Sequence, residues 1–286
     1  MDEQAALDIV SGFVDAAGDD AAVVDGTAFT IDMLHETTDF PPGTTRYTAG
    51  WRAVGASLSD VAAMGGDASA AVAVYGAPEF ADDELAAFLD GASDVCEGVG
   101  AEYVGGDLDG HDEFTVASAA IGDVERPVGR GGASSGEKVA VTGTLGRSAT
   151  AVALFDAGET ERANDLFCFE PRVAAGRALA EHATAMMDSS DGLARSLHQL
   201  AAASDCGFAV EGDRVPVDES VREVTADPLD TAVTFGEDFE LVVTLPADSV
   251  TAARAASPTP LSVVGEVTDS GVTLDGEPLA DRGWTH

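Results

Sequence analysis

Residues 125–137 read ERPVGRGGASSGE. Glycine breaks helices and strands, proline removes a backbone donor, and serine competes for backbone hydrogen bonds, so this run marks a loop. It divides the chain into halves of similar size, 1–126 and 127–286. In the first half, apolar spacing predicts a helix over 2–17 and two short strands within 21–32, turning at Asp25–Gly26. A long Gly/Ala-rich helix over 45–65 and a strand over 69–76 come next. An amphipathic helix over 82–99 and strands over 102–105 and 114–121 complete this half. In the second half the expected order is strand 138–142, helices 147–157 and 171–182, strand 184–188, helix 191–203, and strands 207–211 and 239–245. Helix 248–256 and strands 261–267 and 271–274 close it. The mixture implies an α+β fold in two parts, with mixed sheets and packed helices.

The chain has 286 residues, 52 Asp plus Glu against 14 Lys plus Arg, and a formal net charge of -38. Its one lysine is Lys138. A phosphate backbone needs clustered cations, so nucleic acid is excluded as a partner, and an anionic membrane surface is excluded for the same reason. Hydrophobic residues make up 45% of the chain, enough for a packed core. The acids are spread along foldable segments, as in proteins of salt-rich cytoplasms, where a Debye length of about 3 Å at 1 M salt screens self-repulsion. Cys96, Cys168 and Cys206 stand far apart and read as reduced, buried thiols. The opening MDEQAALDIV has no basic n-region, and no apolar run approaches the roughly 18 residues of a membrane span. The expected setting is cytoplasmic.

Five acidic motifs sit at element ends beside small residues: Gly18-Asp19-Asp20, Ile31-Asp32, Leu58-Ser59-Asp60, Gly105-Gly106-Asp107 and Asp188-Ser189-Ser190-Asp191-Gly192. Like charges brought together need cations. Oxygen ligands without His or Cys select hard ions such as Mg2+, which completes its shell with substrate phosphates, and this points to phosphoryl transfer. The run Thr142-Gly143-Thr144-Leu145-Gly146 leads into a helix start and is expected to offer a second anion site. The P-loop and protein-kinase signatures are absent, as are G-x-S-x-G and H-E-x-x-H.

Together, GDDAAV (18–23), SLSDVAAMG (57–65), GGD (105–107), KVAVTGTLG (138–146), DSSDGL (188–193) and GEDFEL (236–241) resemble the thiamine-monophosphate kinases. The resemblance implies the two-domain fold of aminoimidazole-ribonucleotide synthetase, with 1–126 as the metal, ATP and dimerisation domain and 127–286 supplying phosphate and substrate contacts. It implies ATP-dependent phosphorylation of thiamine monophosphate to thiamine diphosphate by a homodimer. It assigns several Mg2+ ions to Asp20, Thr30, Ile31, Asp32, Asp60, Asp107, Asp188 and Asp191. ATP falls to Gly106, Asp107, Arg130 and Ser190, and the acceptor to Asp39, Glu237 and Trp284. Asp107, Arg130 and Asp191 would be catalytic. The family usually has His where Asp39 stands, and Phe235 replaces the first Gly of a usual G-G-E-D.

Relatives of the same fold are separated by residues. A selenophosphate synthetase would carry an early Cys, whereas the first here is Cys96; the hydrogenase-maturation relative ends in Cys, and this chain in His286. The synthetase signature D-G-V-G-T-K is replaced by D-M-L-H-E-T from Asp32. The alternatives are another ATP-dependent small-molecule kinase or synthetase, or a non-catalytic nucleotide- and Mg2+-binding relative. Asp60 interrupts a small-residue helix while Asp83 opens an exposed one. Asp60→Asn is therefore expected to lower turnover by roughly 100-fold or more and weaken the Mg2+ dependence, with Asp83→Asn within about twofold of the parent, in steady-state assays.

Overall fold

The computed structural model describes residues 9, 10, 12–14 and 17–283. The helix expected over 2–17 lies mostly outside the described residues. The chain turns at Asp25, whose φ of 51° is left-handed, and Gly26, forming a hairpin of β1 (Ala22–Val24) and β2 (Thr27–His35). A one-turn helix α1 (Glu36–Asp39) leads to α2 (Arg46–Ala63), capped by Thr45, whose side chain accepts from Thr48 N–H. After α2 come β3 (Asp67–Ala77), α3 (Asp82–Val99), β4 (Glu102–Gly110) and β5 (Thr115–Asp123). The five strands form a sheet in the order β1-β2-β5-β3-β4, with only β3 and β4 parallel.

The second half supplies β6 (Lys138–Thr142), α4 (Arg147–Asp156), α5 (Thr160–Phe167), α6 (Val173–Leu179), β7 (Ala185–Asp188) and α7 (Leu193–Ser204). It continues with β8 (Gly207–Val210), α8 (Val221–Val224), α9 (Pro228–Thr234), β9 (Leu241–Leu245), α10 (Val250–Ala256), β10 (Leu261–Thr268), β11 (Gly271–Leu274) and β12 (Glu277–Pro278). Its seven strands run β12-β11-β8-β10-β6-β9-β7. Helices and sheets in two parts give the α+β architecture that the sequence led us to expect. Four short helices, α1, α5, α8 and α9, were not expected, because one or two turns carry too little periodicity to register. Strand β4 also continues past the glycine pair where a stop was expected, because Ala73 of β3 pairs with Gly106 so closely that a side chain there would strike the Ala73 carbonyl. Among the described residues no helix is long and apolar enough to cross a membrane.

Helix α2 is the axis of the molecule. Residues 52–59 are all buried, so it is enclosed on every side, as a helix of small residues must be. One face lies on the first sheet, where Ser118 Oγ donates to the Ala53 carbonyl at 2.6 Å. Another crosses α3 at Gly50 and Gly91. A Cβ on Gly50 would strike the Phe88 carbonyl, and one on Gly91 the Tyr47 carbonyl. A third face meets the second half, and one core runs from Leu58 and Val61 to Met186, Leu241 and Val243.

Gly91→Ala is expected to destabilise. Ala gains about 0.5–1 kcal/mol of helix propensity over Gly. Overpacking a buried crossing costs about 1–3 kcal/mol. Gly98→Ala, on the same helix with open space around it, should be neutral or stabilising. Thermal denaturation of both variants is the check, with the midpoint of Gly91→Ala falling by several degrees.

Candidate functional site

The end of β7 and α2 bring together acids from four parts of the chain. A carboxylate oxygen of each of Asp20, Asp60 and Asp188 lies within 4.8 Å of the others. Hydroxyls from the core hold them. Ser59 Oγ donates to Asp188 Oδ2 at 2.7 Å, Ser57 Oγ donates to Asp32 Oδ2 at 2.8 Å, and Thr30 Oγ1 donates to Asp60 Oδ2. Ser57 and Ser59 are fully buried on α2, two residues apart, and so they reach different partners: Ser57 the sheet, Ser59 the second half. Helical spacing puts Asp60 between them at the same end.

Arg130 comes from the 125–137 loop. Its Nη2 donates to Asp20 Oδ1 at 2.9 Å, and its backbone N–H donates to Asp19 Oδ1 at 2.7 Å. The Asp20 side chain is only 2% exposed. Asp20, Ile31, Asp32, Asp60, Arg130, Ser190 and Asp191 all line one cleft of about 940 Å3. Ser190 and Asp191 lie in the turn between β7 and α7, where Gly192 takes a φ of 99°.

The electrostatics follow from burial. Desolvation raises the pKa of Asp20, Asp32 and Asp60, and that of Asp188 to about 8. For Asp60 the charges of Asp32, Asp188 and Asp20 add to desolvation and hold it well above the ordinary carboxylate range. Two ionised carboxylates 4.8 Å apart repel by roughly 3 kcal/mol at an effective dielectric of about 20. Burial disfavours the Arg130 cation too, but Asp20 outweighs it and raises the pKa. The donor set is oxygen only, anionic and short of cations, which fits Mg2+ rather than zinc.

The structure does not bring every expected residue here. Asp107 and Gly106 line a separate cavity with Tyr75, Phe88 and Tyr103. The cause is sheet order: Asp32 pairs with Ser118, Ser118 with Ala73, and Ala73 with Gly106. Three strand spacings of about 4.8 Å set Gly106 some 14 Å from β2. Asp107 lies in the next row, beside Val74 on the opposite face from Asp32. The anion site expected at the start of α4 is filled by the chain itself. Asp238 accepts from Gly146 N–H at 2.5 Å and Ser148 N–H at 2.8 Å, and burial pushes its carboxyl up to about 7.

Asp39 and Glu237 meet at a smaller cavity of about 220 Å3 with Phe40, Phe167 and Phe235. Trp284 lies outside the described residues. Sequence reasoning missed Ser57, Ser59 and the buried Arg52. The available signal was three polar residues inside a helix otherwise too apolar and small to have a wet face.

Known proteins resemble this chain over its whole length. The family model for the N-terminal domain of AIR synthase related proteins matches residues 18–124, and that for the C-terminal domain matches 134–276. A thiamine-monophosphate kinase of Halobacterium salinarum is 71% identical over the whole of both chains. That of Methanospirillum hungatei is 36% identical over 100% of this chain and 99% of its own. The solved complex of AaThiL with AMPPCP and TMP superimposes with a TM-score of 0.90 at 26% identity, covering 99% of this chain and 96% of that one. With both halves matched and close relatives covering its full length, the chain belongs to the AIR synthase related family and, within it, to the thiamine-monophosphate kinases.

Proposed function

We propose that this protein transfers a phosphoryl group from ATP to thiamine monophosphate, giving ADP and thiamine diphosphate. The observation that carries the proposal is the convergence of Asp20, Asp32, Asp60 and Asp188, the first held by Arg130 and the others by hydroxyls, beside a cleft that also presents Arg130 and Ser190. The relatives named above support it. Asp20, Asp32, Asp60, Asp188 and Asp191 are the residues that would hold Mg2+, with Thr30 and Ile31 beside them. Bound Mg2+ would supply charge neutralisation between the two phosphorylated substrates and keep the donor phosphoryl in line.

The chain's own residues do the rest. Arg130, fixed by Asp19 and Asp20, presents a guanidinium to the nucleotide phosphates. Ser190 adds a hydroxyl donor in the turn before α7. No general base is needed, because the second pKa of a phosphate monoester is about 6 and the acceptor is already dianionic near neutral pH. The smaller cavity, with carboxylates of Asp39 and Glu237 among three phenylalanines, has the charge and shape for a cationic heteroaromatic ring. Residues 1–126 form the metal and dimer domain in this reading, and 127–286 the phosphate and substrate domain.

The test is ADP release in a coupled assay with ATP, thiamine monophosphate and Mg2+ in high salt. Turnover that requires both the acceptor and Mg2+ is expected. Absence of turnover with that acceptor overturns the proposal. The acidic surface fits a salt-rich cytoplasm, where the assay should run faster than in dilute buffer.

The homodimer belongs to the same proposal. One face of the first sheet is bare and apolar: Ile31 is 76% and Met33 57% exposed, beside Phe29, Ile121, Val72 and Val74. Single exposed apolar residues are ordinary, but a contiguous face marks an interaction surface. Asp107 shares that face, in the row of Met33, Ala117 and Val74. A metal or ATP role for Asp107 therefore reads most simply through a second copy packed on this sheet. Met33→Asp is expected to convert a dimer into a monomer in light scattering coupled to size exclusion, without unfolding it.

A further inference from the structure

We infer that Arg52 is the positioning residue of the acceptor pocket, its buried guanidinium holding the Glu237 carboxylate at the cavity wall. The inference rests on the kinase reading above and deepens it at the same site. Arg52 does not line the cavity; Phe167, Phe235 and Glu237 do.

Arg52 is 2% exposed in the middle of α2. Its Nη1 donates to the Phe167 carbonyl at 2.5 Å. Its Nη2 donates to the Glu237 carbonyl at 3.2 Å and also to the Glu237 carboxylate. The guanidinium lies 3.6 Å from the centroid of the Phe167 ring. Beside it Phe169 and Phe239 stack, with centroids 4.1 Å apart and planes 13° from parallel. The cation is thus packed against aromatic faces, with one donor on the Phe167 carbonyl and the other on Glu237.

Glu237 is held in an unusual backbone. Its φ is 73°, a left-handed value that a non-glycine residue adopts only when its surroundings require it. Its N–H donates to the Ser190 carbonyl at 2.6 Å, and its carbonyl accepts from Ser148 Oγ at 2.7 Å. These bonds fix the main chain. The carboxylate is held in place by its ion pair with Arg52. An arginine does both jobs because its planar fork can serve carbonyl and carboxylate together, whereas a lysine offers a compact charge with rotatable donors and no such fork. Among the described residues the polar partners of Arg52 are Phe167 and Glu237, not the carboxylate cluster or Ser190, so its loss should fall on the acceptor and spare the nucleotide.

Steady-state kinetics of R52K, R52M, E237Q and R52M/E237Q provide the test. In R52M the KM for thiamine monophosphate should rise about tenfold or more, and less in R52K, while the KM for ATP stays within about twofold. Because Arg52 acts through Glu237, the double variant should lose no more than R52M alone, the mark of coupled residues. An unchanged acceptor KM in folded R52K and R52M overturns the inference. So do losses that add in the cycle, or an equal rise in the KM for ATP. Should R52M fail to fold, R52K decides: a raised acceptor KM at a near-normal melting temperature supports the role, and an unchanged one removes it. A wild-type chain that does not turn over thiamine monophosphate overturns the kinase reading instead.

Discussion

Carboxylates packed side by side beneath a protein surface are costly, and the rest of this molecule is arranged around that cost. Removing a charge from water costs several kcal/mol even after relaxation, and like charges nearby add to it. Here Asp20, Asp32, Asp60 and Asp188 receive hydrogen bonds from Arg130, Ser57, Thr30 and Ser59. The donors come from α2, β2 and the loop between the halves, so the site exists only when both halves are docked on one helix. Burial raises the carboxyl pKa values.

Helix α2 is the element that makes docking possible. Its small residues let α3 cross at backbone distance, and a Cβ on Gly176 of α6 would strike the carbonyl of Ala62 at its far end. Close approach shortens the reach needed by the serines. A helix of larger residues would bury more area but hold the two sheets too far apart for Ser57 and Ser59 to bond Asp32 and Asp188. Polar residues at 52, 57, 59 and 60 thus carry the contacts of this helix with Glu237, Asp32, Asp188 and Thr30.

Much of this was legible in the sequence because the signals are local. Helix α3 begins at Asp82 and ends at Val99 as expected, since acids favour its start and Gly100, with a φ of 81°, closes it. Strands β6 and β11 keep their expected bounds. Of the acids that converge, Asp188 ends β7 and Asp20 precedes β1, as expected, whereas Asp32 lies within β2 and Asp60 within α2. Short helices escaped because they lack periodicity. The filled anion site at α4 escaped because its occupant, Asp238, lies 90 residues away in sequence.

The sequence alone determined the two-part α+β architecture, the acidic and cation-poor surface and the identity of the acids worth watching. Composition, period and capping act within a few residues of the chain, and reading them needs nothing more. Tertiary structure decided which of those acids share a cleft. It set Asp107 on the outward face of a sheet, three strands from Asp32, and gave the start of α4 to Asp238 rather than to a ligand. It placed Arg52 behind Glu237. Each of these depends on strand order, helix crossing or the pairing of distant residues. Such through-space relations are fixed by packing, and no local run of residues encodes them.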